Sequence, residues 1–328
     1  MNYLKLVRLP NLLFLGLVIT ALFWGVLNPM LAQLYCLSIP NAGVIFTLML
    51  IAALFIAAAG YVINDYFDTK IDEINRPTKV IVGHGVTRHQ ASTYFSILMG
   101  IGVVAGISLS IYLRSIVLAL IYVGMAGALW FYSSSYKRML IVGNVMVAFC
   151  VFMAVFLTGY VSFIDLRKQY AEVLPYLLEI NPNFANPFNN LMRWAAAFGV
   201  IAALLTWVRE IVKDMQDIQG DAEMECHTMP IVWGIVPAKV FASVLMVASV
   251  VLTGYFCSLL PFEESNLPHQ CFSYVFMPAM VACLCGLWVA KNMRDFRNLS
   301  FALKIVMLLG TLSTGVIFYL FSLINTNC

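Results

Sequence analysis

Hydrophobic positions in this chain come in long unbroken blocks, not in alternating or amphipathic patterns. No Lys, Arg, Asp or Glu occurs between residues 9 and 64. Further charge-free stretches cover 89–113, 115–136, 139–164, 194–208, 240–262, 265–290 and 305–328. A helix that crosses a bilayer needs roughly 20 apolar residues. The first stretch holds two such helices, parted near 37–43 by Ser38, Pro40, Asn41 and Gly43. The shortest block extends back to about Leu191. The pattern predicts nine spans in one membrane domain covering 1–328, an all-α bundle of transmembrane helices. The apolar run Leu12–Leu34 exceeds the roughly 7–15 residues of a signal-peptide core, so it reads as a retained span with Pro10 in its first turn.

Composition agrees with the pattern and removes other classes. Sixty-two per cent of the residues are hydrophobic, 11% are charged and mean hydropathy is +0.89. Such a chain cannot cover a water-facing surface, and its net charge of +3 gives no footprint for nucleic acid. The eight cysteines include no CxxC pair and lie mostly in apolar runs, so they read as small buried hydrophobes without a disulfide framework or zinc site.

The basic residues set an orientation. With the N-terminus cytoplasmic, fifteen of the 19 Lys and Arg fall inside; only Arg114, Arg167, Lys168 and Arg193 fall outside. The positive-inside rule favours this arrangement. It leaves two long cytoplasmic loops, about 64–88 and 209–238. Gly102 and Gly106 form a small-xxx-small pair suited to close helix packing.

Ten of the 16 acids crowd into those two loops. The first window runs Asn64-Asp65-Tyr66-Phe67-Asp68-Thr69-Lys70-Ile71-Asp72, the second Lys213-Asp214-Met215-Gln216-Asp217-Ile218-Gln219-Gly220-Asp221. Both place Asp at i, i+3 and i+7, which aligns three carboxylates on one helical face. Stacked like charges repel unless a cation sits among them. Hard oxygen ligands suit Mg²⁺, which keeps waters and shares its coordination with phosphate oxygens. Four spans separate the windows, so both emerge on the same side and would form a clamp for a diphosphate. Arg76, Lys79, Lys137, Arg138, Arg209 and Lys213 flank them and can take the remaining phosphate oxygens.

At these residues the sequence resembles the UbiA-type membrane prenyltransferase family. Asn64, Asp65, Asp68 and Asp72 match its NDxxDxxxD motif; Asp214, Asp217 and Asp221 match its DxxDxxxD motif. Arg8-Leu9-Pro10-Asn11 resembles the N-terminal element, and Tyr136-Lys137 with Gly143-Asn144 resembles the stretch that opens helix 5. Within the family, Ile71-Asp72-Glu73-Ile74-Asn75-Arg76-Pro77 and Arg209-Glu210-Ile211-Val212-Lys213-Asp214 resemble the digeranylgeranylglyceryl phosphate synthase branch. After Pro77 the sequence departs from the usual second Arg-Pro, and Lys79 keeps only the charge.

The resemblance implies a UbiA-type fold and a multi-pass enzyme that moves an isoprenyl, geranylgeranyl-like chain from an allylic diphosphate to a lipophilic acceptor. The implied acceptor is a geranylgeranylglycerol-phosphate ether lipid; the alternative is an aromatic acceptor, 4-hydroxybenzoate or dihydroxynaphthoate, in quinone synthesis. Two Mg²⁺ ions are expected, with Asn64, Asp65, Asp68, Asp72, Asp214, Asp217 and Asp221 as the metal-binding set. Asp68, Asp72, Asp214, Asp217 and Lys137 form the expected catalytic set. Arg8, Asn11, Arg76, Lys79, Lys137, Arg209 and Lys213 are the expected substrate contacts. No obligate protein partner and no nucleic acid are implied. A cation-coupled transporter is a rival of another class, but transporters place ionisable groups near the bilayer midplane, whereas these acids sit at helix exits.

Overall fold

The computed structural model describes residues 2–75, 80–172, 175–176, 179, 186–258 and 272–323. Among them, nine helices are long and apolar enough to cross a membrane: Leu9–Tyr35, Ala42–Ile74, Arg88–Tyr112, Ile116–Ser134, Val142–Gln169, Pro187–Gln216, Ile235–Ser258, Phe272–Val289 and Met293–Leu323. These are the first to ninth spans below.

Each span packs against the next in sequence, and the ninth closes on the first. Eight of the nine contribute to the wall of a cavity of about 1300 Å³; the third stands outside it and packs on the second. Gly102 permits that packing, and Gly106 permits the approach of the third span to the fourth. A Cβ on Gly102 would lie 2.8 Å from the Ile56 backbone nitrogen, and one on Gly106 would lie 2.5 Å from the Tyr122 ring. The outward faces are apolar, with Val104, Ile111, Leu120, Val244 and Val251 all exposed, as lipid contact requires.

Prolines shape two spans. Pro29 and Pro278 cannot donate to the helical ladder and crowd the preceding turn. In both cases a π turn stands just upstream, Phe23–Leu27 and Phe272–Phe276. The wider turn lets the Asn28 amide reach the Phe23 carbonyl, which absorbs the clash without breaking the span.

Three sequence expectations change. The long inside loops are largely helix: the second span's helix runs on through Asn75, and the sixth runs to Gln216. The ninth span begins at Met293, not at 305. Asp295 and Asn292 cap it reciprocally, each side chain accepting from the other's backbone N–H at 3.3 and 3.0 Å, so the flanking charges extend the helix. Cys36 is disulfide-bonded, whereas Cys150, Cys226, Cys257, Cys283 and Cys285 are free. Lying in an apolar run did not make Cys36 inert, because it sits where the first span ends, in a left-handed turn at φ 53°.

Candidate active site

The first acidic stripe lies on one unbroken helix. Asn64 Nδ2 donates to Asp68 Oδ2 at 2.6 Å, and Lys137 Nζ donates to the same oxygen. Arg8 Nη2 donates to Asp65 Oδ1 at 2.6 Å and its guanidinium lies 5.2 Å from the centre of the Tyr61 ring. Burial opposes charge on Arg8 and Lys137. Asp65 and Asp68 outweigh that penalty, and both pKa values end above their ordinary values. Arg8 adopts φ 51° between the short helix Asn2–Leu6 and the first span. A non-glycine residue there costs about 1–2 kcal/mol. Burial of Leu6 and Val7 against Ala58, Ala59 and Val62 holds the turn and aims the guanidinium at the stripe.

The second stripe is broken. The sixth span ends at Gln216, Asp217 leaves helical geometry at φ −100° and ψ 12°, and a short helix follows at Ile218–Glu223. Asp217 and Gly220 are weak helix formers, which accounts for the break. Two i to i−4 bonds still cross it, Asp217 N to Lys213 O at 2.8 Å and Asp221 N to Asp217 O at 3.2 Å, so the spacing survives. Asn144 Nδ2 donates to Asp214 Oδ2 at 2.8 Å, and Gln216 Nε2 donates to Asp217 Oδ1 at 2.9 Å. The neighbouring cations turn to Glu210, which is buried. Lys213 Nζ donates to both of its oxygens at 2.8 Å, and Arg209 Nη1 donates to one at 2.9 Å.

The two stripes meet at one end of the bundle. The short helix Ile218–Glu223 packs against the second span. His227 N donates to the Arg138 carbonyl at 2.9 Å, which ties the chain after the second stripe to the turn that carries Lys137. Tyr132 lines the same cavity, within electrostatic reach of Asp68, Asp214 and Glu210. Asn64, Asp65, Asp68, Asp72, Asp214, Asp217 and Asp221 all line the same cavity, as do Arg8, Asn11, Lys137, Arg209 and Lys213. Arg76 and Lys79 lie outside the described residues. Deeper in, Phe198, Phe256, Phe272 and Phe276 give the cavity an apolar end.

The donor set fits a hard divalent cation: carboxylates and one amide, neutralised within the protein by ammonium and guanidinium groups. Among the described residues, no three carboxylates close into a ready cage. That suits an ion that uses a few carboxylates and completes its shell with waters and phosphate oxygens.

Several residues in this network escaped sequence reasoning as site groups. Glu210 looked like one more acid beside the second motif, and its i, i+3 relation to Lys213 was the available signal. Tyr61 and Tyr132 gave none, since aromatic residues are common in spans. Asn144 was visible only as part of a resembling stretch. Lys304, read as a cytoplasmic flank, lines the cavity from the ninth span and donates to Asn11 Oδ1 at 3.3 Å.

Known proteins share this architecture and sequence. A digeranylgeranylglyceryl phosphate synthase of Haloquadratum walsbyi is 32% identical over 243 residues, covering 74% of this chain and 72% of that protein. A solved digeranylgeranylglyceryl phosphate synthase structure superposes with a TM-score of 0.58 at 24% identity, covering 96% of both chains. A UbiA homolog from Archaeoglobus fulgidus bound to GPP and Mg²⁺ superposes with a TM-score of 0.55 at 14% identity, over 96% of this chain and 99% of that one. The model of the UbiA prenyltransferase family matches residues 21–308. With nine apolar spans built around one acid-lined cavity, the chain belongs to the UbiA prenyltransferase family and is a multi-pass membrane prenyltransferase.

Proposed function

We propose that the protein transfers an isoprenyl chain from an allylic diphosphate to the glycerol-phosphate ether lipid named by its curated relatives, with the diphosphate held between the two acidic stripes. The observation that carries this reading is the placement of both motifs on the wall of one cavity whose deeper part is apolar. The likeness to the Haloquadratum digeranylgeranylglyceryl phosphate synthase supports the acceptor. The GPP and Mg²⁺ in the Archaeoglobus homolog support the donor class and the metal.

Each group has a role in this reading. Asn64, Asp65, Asp68 and Asp72 on one side and Asp214, Asp217 and Asp221 on the other hold two Mg²⁺ ions. When bound, the metal supplies charge neutralisation for the departing diphosphate oxygens. Lys137 and Lys213, with Arg76 and Lys79, hold oxygens that the metal leaves free. Asn144 orients Asp214. The apolar wall receives the chain and keeps water from the allylic fragment, which becomes cation-like as the carbon–oxygen bond breaks. The bond's electrons leave with the diphosphate, and the acceptor oxygen joins the freed carbon as it loses its proton. One domain does this without an obligate protein partner, and the N-terminus and both stripes face the cytoplasm.

Mass spectrometry of products from purified protein, given mixed isoprenyl diphosphates and candidate acceptors, tests the reading. The expected product is the doubly chained ether lipid phosphate, absent with EDTA and restored by Mg²⁺. A prenylated hydroxybenzoate or dihydroxynaphthoate as the sole product would replace the acceptor, and transfer unaffected by EDTA would remove the metal.

A further inference from the structure

A second group of charges lines the cavity, from Arg8 just before the first span and from the sixth and ninth spans. Lys304 is the only charged residue between 298 and 323, on the ninth span. A charged residue on a spanning helix that faces a cavity marks a functional contact by default. Lys304 lines the cavity, and among the described residues it has no carboxylate within 4.0 Å; its hydrogen bond goes to the neutral Asn11 Oδ1. Tyr61, over whose ring Arg8 lies, lines the same cavity. Arg209 completes the group from the sixth span. It shares Glu210 with Lys213, and its Nε–H is buried with no partner. Arg8 and Arg209 both act electrostatically on Lys304.

The arrangement concentrates positive charge. Asp65 neutralises Arg8, and Glu210 is divided between Arg209 and Lys213. Lys304 is left to an amide oxygen. Three cations that repel one another, with an unfilled donor on one of them, are what a bound dianion would stabilise. The diphosphate is already served by the carboxylate side with its metal and Lys137.

We propose that Arg8, Arg209 and Lys304, supported by Asn11 and Tyr61, form a separate anion subsite that binds the phosphate monoester of the acceptor lipid. This rests on the glycerol-phosphate reading of the acceptor and deepens it. The subsite selects acceptors that carry a phosphate and orients the hydroxyl, a few bonds away, toward the donor. The arginines supply forked donors and Lys304 supplies a point charge whose removal leaves the donor side intact.

Full-length protein in detergent or nanodiscs tests this with Lys304→Gln and Lys304→Arg. Loss of one charged hydrogen bond should raise the KM for the glycerol-ether phosphate about tenfold to a hundredfold in Lys304→Gln. The KM for the isoprenyl diphosphate should stay within about twofold, and Lys304→Arg should recover most of the loss. An equal rise in donor KM, or no change in either KM, overturns the proposal.

A binding measurement without turnover separates this idea from the acceptor assignment. Hexadecyl phosphate, used as the probe in the absence of Mg²⁺, should bind the wild type at least about tenfold tighter than Lys304→Gln. Hexadecanol should not distinguish them. If wild type makes no ether-lipid product yet the probe difference appears, the acceptor reading fails and the anion subsite stands. Equal probe binding by the two proteins sinks the subsite whatever the acceptor is.

Discussion

Compared with the second acidic stripe, the first rides on an unbroken helix and has already met its cations: Asp65 holds Arg8, and Asp68 holds Lys137. In the second stripe Asp214 and Asp217 accept from the neutral amides of Asn144 and Gln216, while Lys213 and Arg209 are drawn off to Glu210. Equal spacing therefore produces two different electrical environments. Asp214 meets a neutral amide where Asp65 and Asp68 meet cations, so a divalent cation that took Asp214 would displace no ion pair there. The first stripe is held by basic groups that, on the proposed reading, an incoming phosphate would share or draw off. On the same reading, Asp65 and Asp68 would serve a metal only as Arg8 and Lys137 release them, which would couple ligand binding to ion-pair exchange on that side.

Glu210 is the sharpest place to break the contrast. Glu210→Gln removes the buried charge that holds two half-buried cations. Loss of one partner from a buried ionic cluster costs about 3–5 kcal/mol. The thermal unfolding midpoint of the purified protein should fall accordingly, and Lys213 should turn to Asp214, making the second stripe resemble the first. An unchanged midpoint would show that Glu210 does not divert the cations.

Next in size, Asp68→Ala and Asp217→Ala should each lower kcat/KM by about 10²–10³-fold, the usual loss when one element of a charge-stabilising set is removed. The stripes act as equals in transfer only if both variants fall. Full activity in either would mean that its stripe is not part of the clamp.

Legibility in the sequence followed the physics that sets each feature. The spans were readable because lipid contact demands continuous apolar runs, whatever the helices touch. The stripes were readable because i, i+3, i+7 spacing puts acids on one face of any helix. What lay hidden depended on neighbours distant in sequence. Whether Asp68 meets Lys137, 69 positions away, or Asp214 meets Asn144, 70 positions away, is decided by how spans pack. The end of a helix was equally hidden, because charge alone cannot distinguish a cytoplasmic loop from a helix continuing past the membrane. That ambiguity put Lys304 in a flank, although the ninth helix begins at Met293 and carries it along the cavity wall. Glu210 was counted as an acid of the second cluster, but its burial and two cationic partners make it a structural counter-charge.

Smaller substitutions sharpen the comparison at the two bonds that define it. Lys137→Gln removes a cation from the first stripe and should lower kcat/KM about tenfold to a hundredfold. Because the same change leaves Asp68 less compensated, the Mg²⁺ concentration needed for half-maximal activity should fall. A rise in that concentration would contradict the competition between Lys137 and the metal.

Asn144→Ala should have the mildest effect, since a neutral amide donor is lost. A neutral hydrogen bond contributes about 0.5–1.5 kcal/mol, which corresponds to about a twofold to tenfold drop in kcat/KM. Here the Mg²⁺ requirement should rise, because Asp214 loses the contact that fixes its carboxylate, opposite to the change in Lys137→Gln. The two variants thus carry opposite signs on one titration axis while lowering turnover in the same direction. A loss from Asn144→Ala as large as that from Lys137→Gln, with no change in the Mg²⁺ requirement, would place the Asn144 amide on the substrate instead of on Asp214. The electrical difference between the stripes would then no longer rest on that bond.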